Sequence, residues 1–389
     1  MLFTLDEYKD RMRKTKERMH ENGIEVLIVS HPANINYLSG YTGWSFYVHQ
    51  GLIVALEHDE PIWFGRQQDS NAARLYGWIS EENIYGYPDH YVMSKLCHPM
   101  QYVADILKEK GWDKRHIGVE TDGYYFTARG YHSLESSLPD ATIKDDGLSV
   151  NMARRIKSPA EINYMREAAE IAEHVMQTAV DNINVGVREN DAAGAVYQAQ
   201  IAGTPEYGGD FTSLFPIMPS GKRTSSAHLS WCHDRLYKEN DIVLLELAGA
   251  RHHYHCPISR TMYLGTPPDE LKHVADVVIN GLNKTLDSIK PGVSAEEVEE
   301  TWRGCLKGTG VEKPSRVGYS IGLGFPPDWG EQTLSLRPGD KTILEPGMCI
   351  HFMPGIWLDE FGFECSEPLV VTEDGHECFL NFERNIFTK

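Results

Sequence analysis

The sequence predicts a two-domain protein: an α/β domain over residues 1–152, then an α+β domain over 153–389 with a pseudo-two-fold internal duplication. Three observations carry this. Short β-like runs alternate with helical segments up to about residue 150, the order that builds an α/β domain. A helix-start signal, Ser158-Pro159-Ala160-Glu161, opens a long helical segment at the junction. Beyond it one pattern occurs twice, with Gly186 and Gly292 at equivalent points. At 389 residues both domains have enough chain for full-sized cores.

Thr4-Leu5-Asp6-Glu7 is a capping box, and Leu5, Tyr8 and Met12 form one face of the helix it opens. The runs at 25–30 (EVLIVS), 51–57 (GLIVALE), 61–65 (PIWFG) and 116–121 (HIGVET) read as strands, with a helix at 100–110. Residues 34–51, NINYLSGYTGWSFYVHQG, are rich in aromatic and amide side chains, the composition of a recognition loop. The helix opened at Ser158 carries Ile162, Met165, Ala169, Ala172 and Met176 as its apolar stripe. The repeated pattern, at 172–191 and 275–297, is a helix, then Ile-x-x-Gly-Val, then an acidic helix start. Glycine-containing strand segments follow each copy. Two such units facing each other make a sandwich of helices on a curved sheet, with a cleft between the halves.

The composition, 41% hydrophobic and 24% charged, is that of a soluble globular protein. No apolar run approaches the roughly 18 residues of a membrane span, and the polar N-terminus does not read as a signal peptide. Seven scattered cysteines predict free thiols in a reducing cytoplasm. A net charge of −19 argues against a nucleic-acid partner and leaves solubility, or attraction of cationic ligands, as its use.

The stretch 244–261, LLELAGARHHYHCPISRT, reads as an apolar strand running into Glu246, a small-residue turn, and a histidine-rich strand. Acid, imidazole and thiol lie close together, as in a metal site. A strand would place His253 and His255 on one face and His252 on the other. A two-His face is possible for zinc; an ordinary polar strand is the simpler reading.

Six segments, RRIKSPAEI, SGKRTSSAH, NDIVLLELAGARHHYHCPISRTMYLG, VGYSIGLGFPPDWGE, LEPGMCIHFMPGIW and GFECSEPLVVTEDG, resemble in this order the creatinase/aminopeptidase P/methionine aminopeptidase superfamily. The resemblance covers essentially the whole chain. It implies a creatinase-type N-terminal domain and a C-terminal pita-bread domain. In the metallopeptidase members two Asp, one His and two Glu bind two divalent metals. Those positions here carry Glu246, Pro257, Tyr319, Met353 and Ser366. Proline has no donor side chain and Met is a soft ligand, so the expectation is no metal and no other cofactor.

What the resemblance leaves is His228, at the superfamily's substrate-side histidine, and carboxylates at Glu246 and Glu364. Glu364 shares the face of Ser366, and Glu367 points the other way. Aromatic residues accompany them at Tyr319, Phe325, Trp329, Phe352 and Trp357. Acids with aromatic walls suit a cationic planar group. GYSIGLGFPPDWGE and HFMPGIW resemble the ectoine hydrolases, whose substrate is a zwitterionic cyclic amidine. The resemblance thus implies hydrolytic opening of ectoine, and of hydroxyectoine, to N-acetyl-diaminobutyrate. Glu246 and His228 are the expected catalytic residues; Glu364, Tyr319, Trp329, Phe352, Tyr254, His255 and Phe46 are the expected substrate contacts. The superfamily also implies a homodimer, with the N-terminal domain of the partner completing the cleft. The alternatives are a creatinase-like hydrolase of another amidine or guanidine, an Xaa-Pro peptidase with an unconventional metal site, and a non-catalytic binding protein.

Overall fold

The computed structural model describes all residues 1–389. The chain divides into two compact units, Met1–Arg154 and Arg155–Lys389. The boundary lies two residues beyond the expected one, because the short helix Ser149–Ala153 is tied to the first unit. Asp146 accepts from the backbone N–H groups of Leu148 and Ser149, and the Tyr37 hydroxyl donates to the Ala153 carbonyl.

In the first unit a six-stranded sheet runs Ile84–Tyr87, Ile62–Arg66, Gly51–Ala55, Val26–Val29, His116–Val119, Thr142–Asp145. The four strands expected from sequence are among these. The first helix, Leu5–Glu21, is capped by Thr4, and buries Tyr8 and Met12 but leaves Leu5 exposed. The first third of the supposed loop 34–51 is helix: Pro32–Ser39 is helical and buried throughout. Only the segment after Gly40 is irregular, with Phe46 73% exposed and in ring contact with Trp44.

The duplication is visible in the second unit as matching geometry. Helices Pro159–Asn182 and Glu189–Ala202 correspond to Asp269–Leu286 and Ala295–Leu306. Gly186 and Gly292 between them have φ of 84° and 86°, and a Cβ at either would meet no neighbour. The glycine therefore serves the left-handed backbone rather than close packing. The Gly186 N–H donates to the Tyr237 carbonyl and the Gly292 N–H to the Leu344 carbonyl, each at 2.9 Å.

Each helix pair has its own core. The first pair packs on Val243, Leu245, Leu247, Cys256, Ile258 and Met262, the second on Leu334, Leu336, Ile350, Phe352 and Leu369. Because side chains alternate along a strand, the residues between these point away from the helices. Those are Glu246, His255, Ser259 and His351.

The small-residue turn expected at Ala248-Gly249-Ala250 is absent. The strand continues through it, Ile242–Arg251, and pairs residue for residue with Tyr254–Tyr263. A Cβ on Gly249 would lie 2.1 Å from the Ala168 carbonyl, so the small residues let a helix cross the strand closely. His252 and His253 make the hairpin turn instead, both with positive φ, as a two-residue turn of the type favoured between twisted strands requires. They are not opposite faces of a strand.

Candidate active site

The side chains facing away from the helices gather around two buried carboxyl groups. Glu246 sits opposite Ser259 in the central hairpin. Its strand is fixed on the other edge by reciprocal backbone bonds with Ile217, at 3.0 and 3.1 Å. Burial, then the nearby Glu364 and Asp328, push its carboxyl well above the usual range. Glu364 lies between the short strand Gly362–Phe363 and the strand Glu367–Val371. The Thr261 hydroxyl holds its backbone by accepting from the N–H and donating to the C=O, both at 2.9 Å. The side chain is not held so. Both Glu364 carboxylate oxygens and the Ser259 hydroxyl beside them are buried without an aligned hydrogen bond. Burial raises this carboxyl to about 7, although Lys313 pulls it down.

An ordered polar chain lies against the acids. Trp329 Nε1–H donates to the Tyr319 hydroxyl at 2.9 Å, and His351 Nδ1 lies 3.1 Å from the same oxygen. His351 Nε2 is 2.7 Å from Ser366 Oγ, which also accepts from the Ser259 backbone N–H at 2.8 Å. Burial lowers His351 to about 3, so it is neutral. Burial and Glu246 keep the Tyr319 phenol protonated far above its usual range. The arrangement is a buried cluster with surplus acid, flanked by an indole and a phenol fixed in place.

Residues 163–373 match the profile of metallopeptidase family M24, and residues 11–156 match the creatinase/prolidase N-terminal domain. The chain is 41% identical over 394 residues to the ectoine hydrolase of Halomonas elongata, covering 100% of this chain and 98% of that one. The chain belongs to family M24. An uncharacterised hydrolase/peptidase of Sinorhizobium fredii is 42% identical with the same coverage. The prolidase structure from Pyrococcus horikoshii superposes with a TM-score of 0.81 at 21% identity, over 97% of this chain and 100% of that one. The pita-bread fold expected for the second unit is therefore established, and the enzyme class is hydrolase.

The donor set of this M24 member does not fit a dinuclear metal centre. Pro257 offers nothing, Ser366 Oγ is committed to His351 and Ser259, and Tyr319 stays protonated between Trp329 and His351. Glu246 is the single carboxylate among the five positions, and Met353 is a thioether. A site shared by Glu246 and His255 also fails. The Ser213 N–H donates to His255 Nε2 at 2.9 Å, which fixes the proton on Nδ1, facing the His253 carbonyl at 2.8 Å.

Three expected substrate contacts are corrected by the same geometry. Both His255 ring nitrogens are used, so it supports Trp329, whose ring lies 6.1 Å away, rather than binding substrate. Tyr254 is one residue out of phase with His255. It faces the helix Pro159–Asn182, where its hydroxyl donates to Glu161 at 2.8 Å. Phe352 is likewise out of phase with His351 and packs edge-on against Trp302 in the helical core.

Of the remaining expected residues, Glu246, Glu364, Tyr319 and Trp329 are brought together. His228 is exposed, on the loop after the turn Gly221–Ser225, and makes none of the hydrogen bonds of the cluster. Glu189 pins that loop at both ends through Arg223 and Arg235, at 3.3 and 3.1 Å, and through the Cys232 N–H. Phe46 belongs to the first unit. Sequence reasoning missed His351, Asp328 and Lys313. His351 was accessible by alternation, two residues before Met353 and hence on its face; Asp328 opens the strand Asp328–Ser335, and Lys313 lies outside any regular element.

Proposed function

We propose that this chain opens the ring of ectoine hydrolytically and without a divalent metal. The observation that carries the reading is the pair Glu246 and Glu364: two buried acids, one with both oxygens unbonded, beside a fixed indole and phenol. A buried carboxylate with no partner is costly. A planar amidinium offset by two carboxylates and covered by aromatic faces removes that cost. The 41% identity to an ectoine hydrolase across the whole chain supports the same substrate, and hydroxyectoine with it.

In the reaction the amidinium carbon gains an oxygen from water and loses its bond to one ring nitrogen. That nitrogen leaves as an amine and takes up the proton, giving N-acetyl-diaminobutyrate. The amidinium is already an electrophile, so the step needs no Lewis acid. The Glu246 carboxyl is raised by burial, and the arriving cation favours its ionised form, the proton passing to solvent. It then attacks the carbon, or takes a proton from the attacking water. Glu364 pairs with ring N–H groups, Tyr319 and Trp329 shape the walls, and His228 carries the proton to the leaving nitrogen, which requires its exposed loop to close over the substrate. The aromatic segment bearing Phe46, from a second copy of the chain, completes the pocket.

The test is a substrate panel of ectoine, hydroxyectoine, creatine and Xaa-Pro dipeptides, run with and without a chelator after elemental analysis. Ectoine loss well above peptide cleavage, unchanged by the chelator, is the expected result. Peptidase activity exceeding ectoine hydrolysis, or activity lost on removing bound Mn, Co or Zn, would overturn it.

A further inference from the structure

Two cations near the acid cluster have no ion-pair partner. Lys313 Nζ donates to the Gly355 carbonyl at 2.7 Å and to Ser315 Oγ at 3.1 Å, and lies 4.6 Å from the centre of the Trp357 ring. An ammonium has three donors, so one is left over. Three residues on, the Arg316 guanidinium sits 4.5 Å over the Tyr319 ring, with one N–H given to Ser335 Oγ at 3.2 Å. Four of its five donors remain. Both belong to the segment between the buried Val311 and Val317, which feeds into the strand Gly318–Phe325.

Electrostatics ties them to the site. Glu364 raises Lys313 and Lys313 lowers Glu364, although neither oxygen of the acid takes a hydrogen bond from the lysine. Arg316 acts on His351, behind Tyr319. The lysine is not there to neutralise the acid, since its hydrogen bonds fix it elsewhere. The result is a charge-ordered cluster: Glu246, Glu364 and Asp328 influence one another, Lys313 acts on Glu364, and Arg316 lies over Tyr319, both cations keeping spare donors.

We infer that Lys313 and Arg316 form an anion subsite that takes the carboxylate of the substrate while the acids take its amidinium. This rests on the ectoine reading and adds a requirement: the substrate must carry a carboxylate at the ring edge. Arg316 offers a planar fork and Lys313 a fixed point charge, a combination suited to one carboxylate group. The pocket thereby rejects neutral peptides and plain amidines by the same device that orients ectoine.

The experiment compares two substrates, ectoine and the same ring without its carboxylate (2-methyl-1,4,5,6-tetrahydropyrimidine). Kinetics and calorimetric binding are measured for wild type, Lys313→Met, Arg316→Met and Lys313→Arg. Wild type is expected to favour ectoine in kcat/KM by a factor of ten or more. Each Met variant is expected to lose most of that preference through KM, and Lys313→Arg to retain part of it. Burial lowers Lys313 to about 8, so the preference should also decline above about pH 8 in wild type and not in Lys313→Met. An unchanged ratio of the two substrates in both Met variants overturns the subsite. If wild type opens neither ring, the ectoine reading fails on its own. The binding ratio then still decides the subsite: equal affinity for the two rings overturns it.

Discussion

Glu364 and Glu367 are three residues apart on one extended segment, both fully buried, and they live in opposite electrostatic worlds. Glu367 points to the helix side. There its Oε1 accepts from Arg260 at 2.8 Å and Arg384 at 3.0 Å, and Arg260 is further bonded to the Ser366 and Phe382 carbonyls. Glu364 points to the opposite side, toward Ser259 and the Glu246 cluster, and has no such partner. The first is an acid whose charge is compensated inside the protein. The second has no ion pair, and Lys313 acts on it without a hydrogen bond. A buried carboxyl without an ion pair next to a paired one on the same segment separates the two acids more sharply than residue identity does.

Replacing the acid that shares the cluster with Glu364 should give the largest effect. Glu246→Gln keeps the shape but removes charge and basicity, and turnover should fall on the order of 10²–10⁴-fold with the fold intact. Single-turnover rates of ectoine loss measure this. More than roughly a tenth of wild-type turnover would move the central role to Glu364.

The comparison itself is tested by the pair of glutamines. Glu367→Gln leaves the Arg260 charge buried and should cost about 3–5 kcal/mol in urea unfolding, with turnover of the folded fraction nearly intact. Glu364→Gln should keep or raise stability at pH 8 and weaken ectoine binding. If Glu364→Gln unfolds the protein and Glu367→Gln abolishes turnover, the two roles are reversed.

A pH dependence follows from the raised carboxyl of Glu364. Its folded value of about 7 exceeds the ordinary 4.5, so between these pH values the folded state binds the extra proton. Its contribution is therefore fully present below about pH 4.5 and is lost as pH rises to about 7. The span corresponds to roughly 3 kcal/mol at the usual value per pKa unit. Unfolding free energies across this range should show a decline that is missing in Glu364→Gln. Equal slopes in the two proteins would mean that Glu364 is already ionised.

The smallest effect tests the face assignment. Phe352→Leu should lower stability by about 1–2 kcal/mol, as an imperfect repacking of the core beneath Trp302. The KM for ectoine should stay put. A KM shift with stability unchanged would return Phe352 to the pocket wall.

Much of this molecule was legible in the chain. Periodicity and capping gave the helix at Ser158 and the strands of the first unit, because these depend on local backbone preference and on which face is apolar. The paired Ile-x-x-Gly-Val motifs gave the duplication, since a left-handed turn needs glycine at Gly186 and Gly292 alike. The substitutions Pro257, Tyr319, Met353 and Ser366 gave the misfit with a dinuclear metal centre, which is a matter of donor chemistry alone. Tertiary structure decided what local patterns leave open. Ala248-Gly249-Ala250 looks like a turn until a helix is seen to cross it, and Phe352 looks like an aromatic wall until strand phase sends it to the core. Whether a buried acid is compensated is likewise invisible in sequence. Arg260 lies 107 positions before Glu367, and only the fold brings that charge to one glutamate and withholds it from the other.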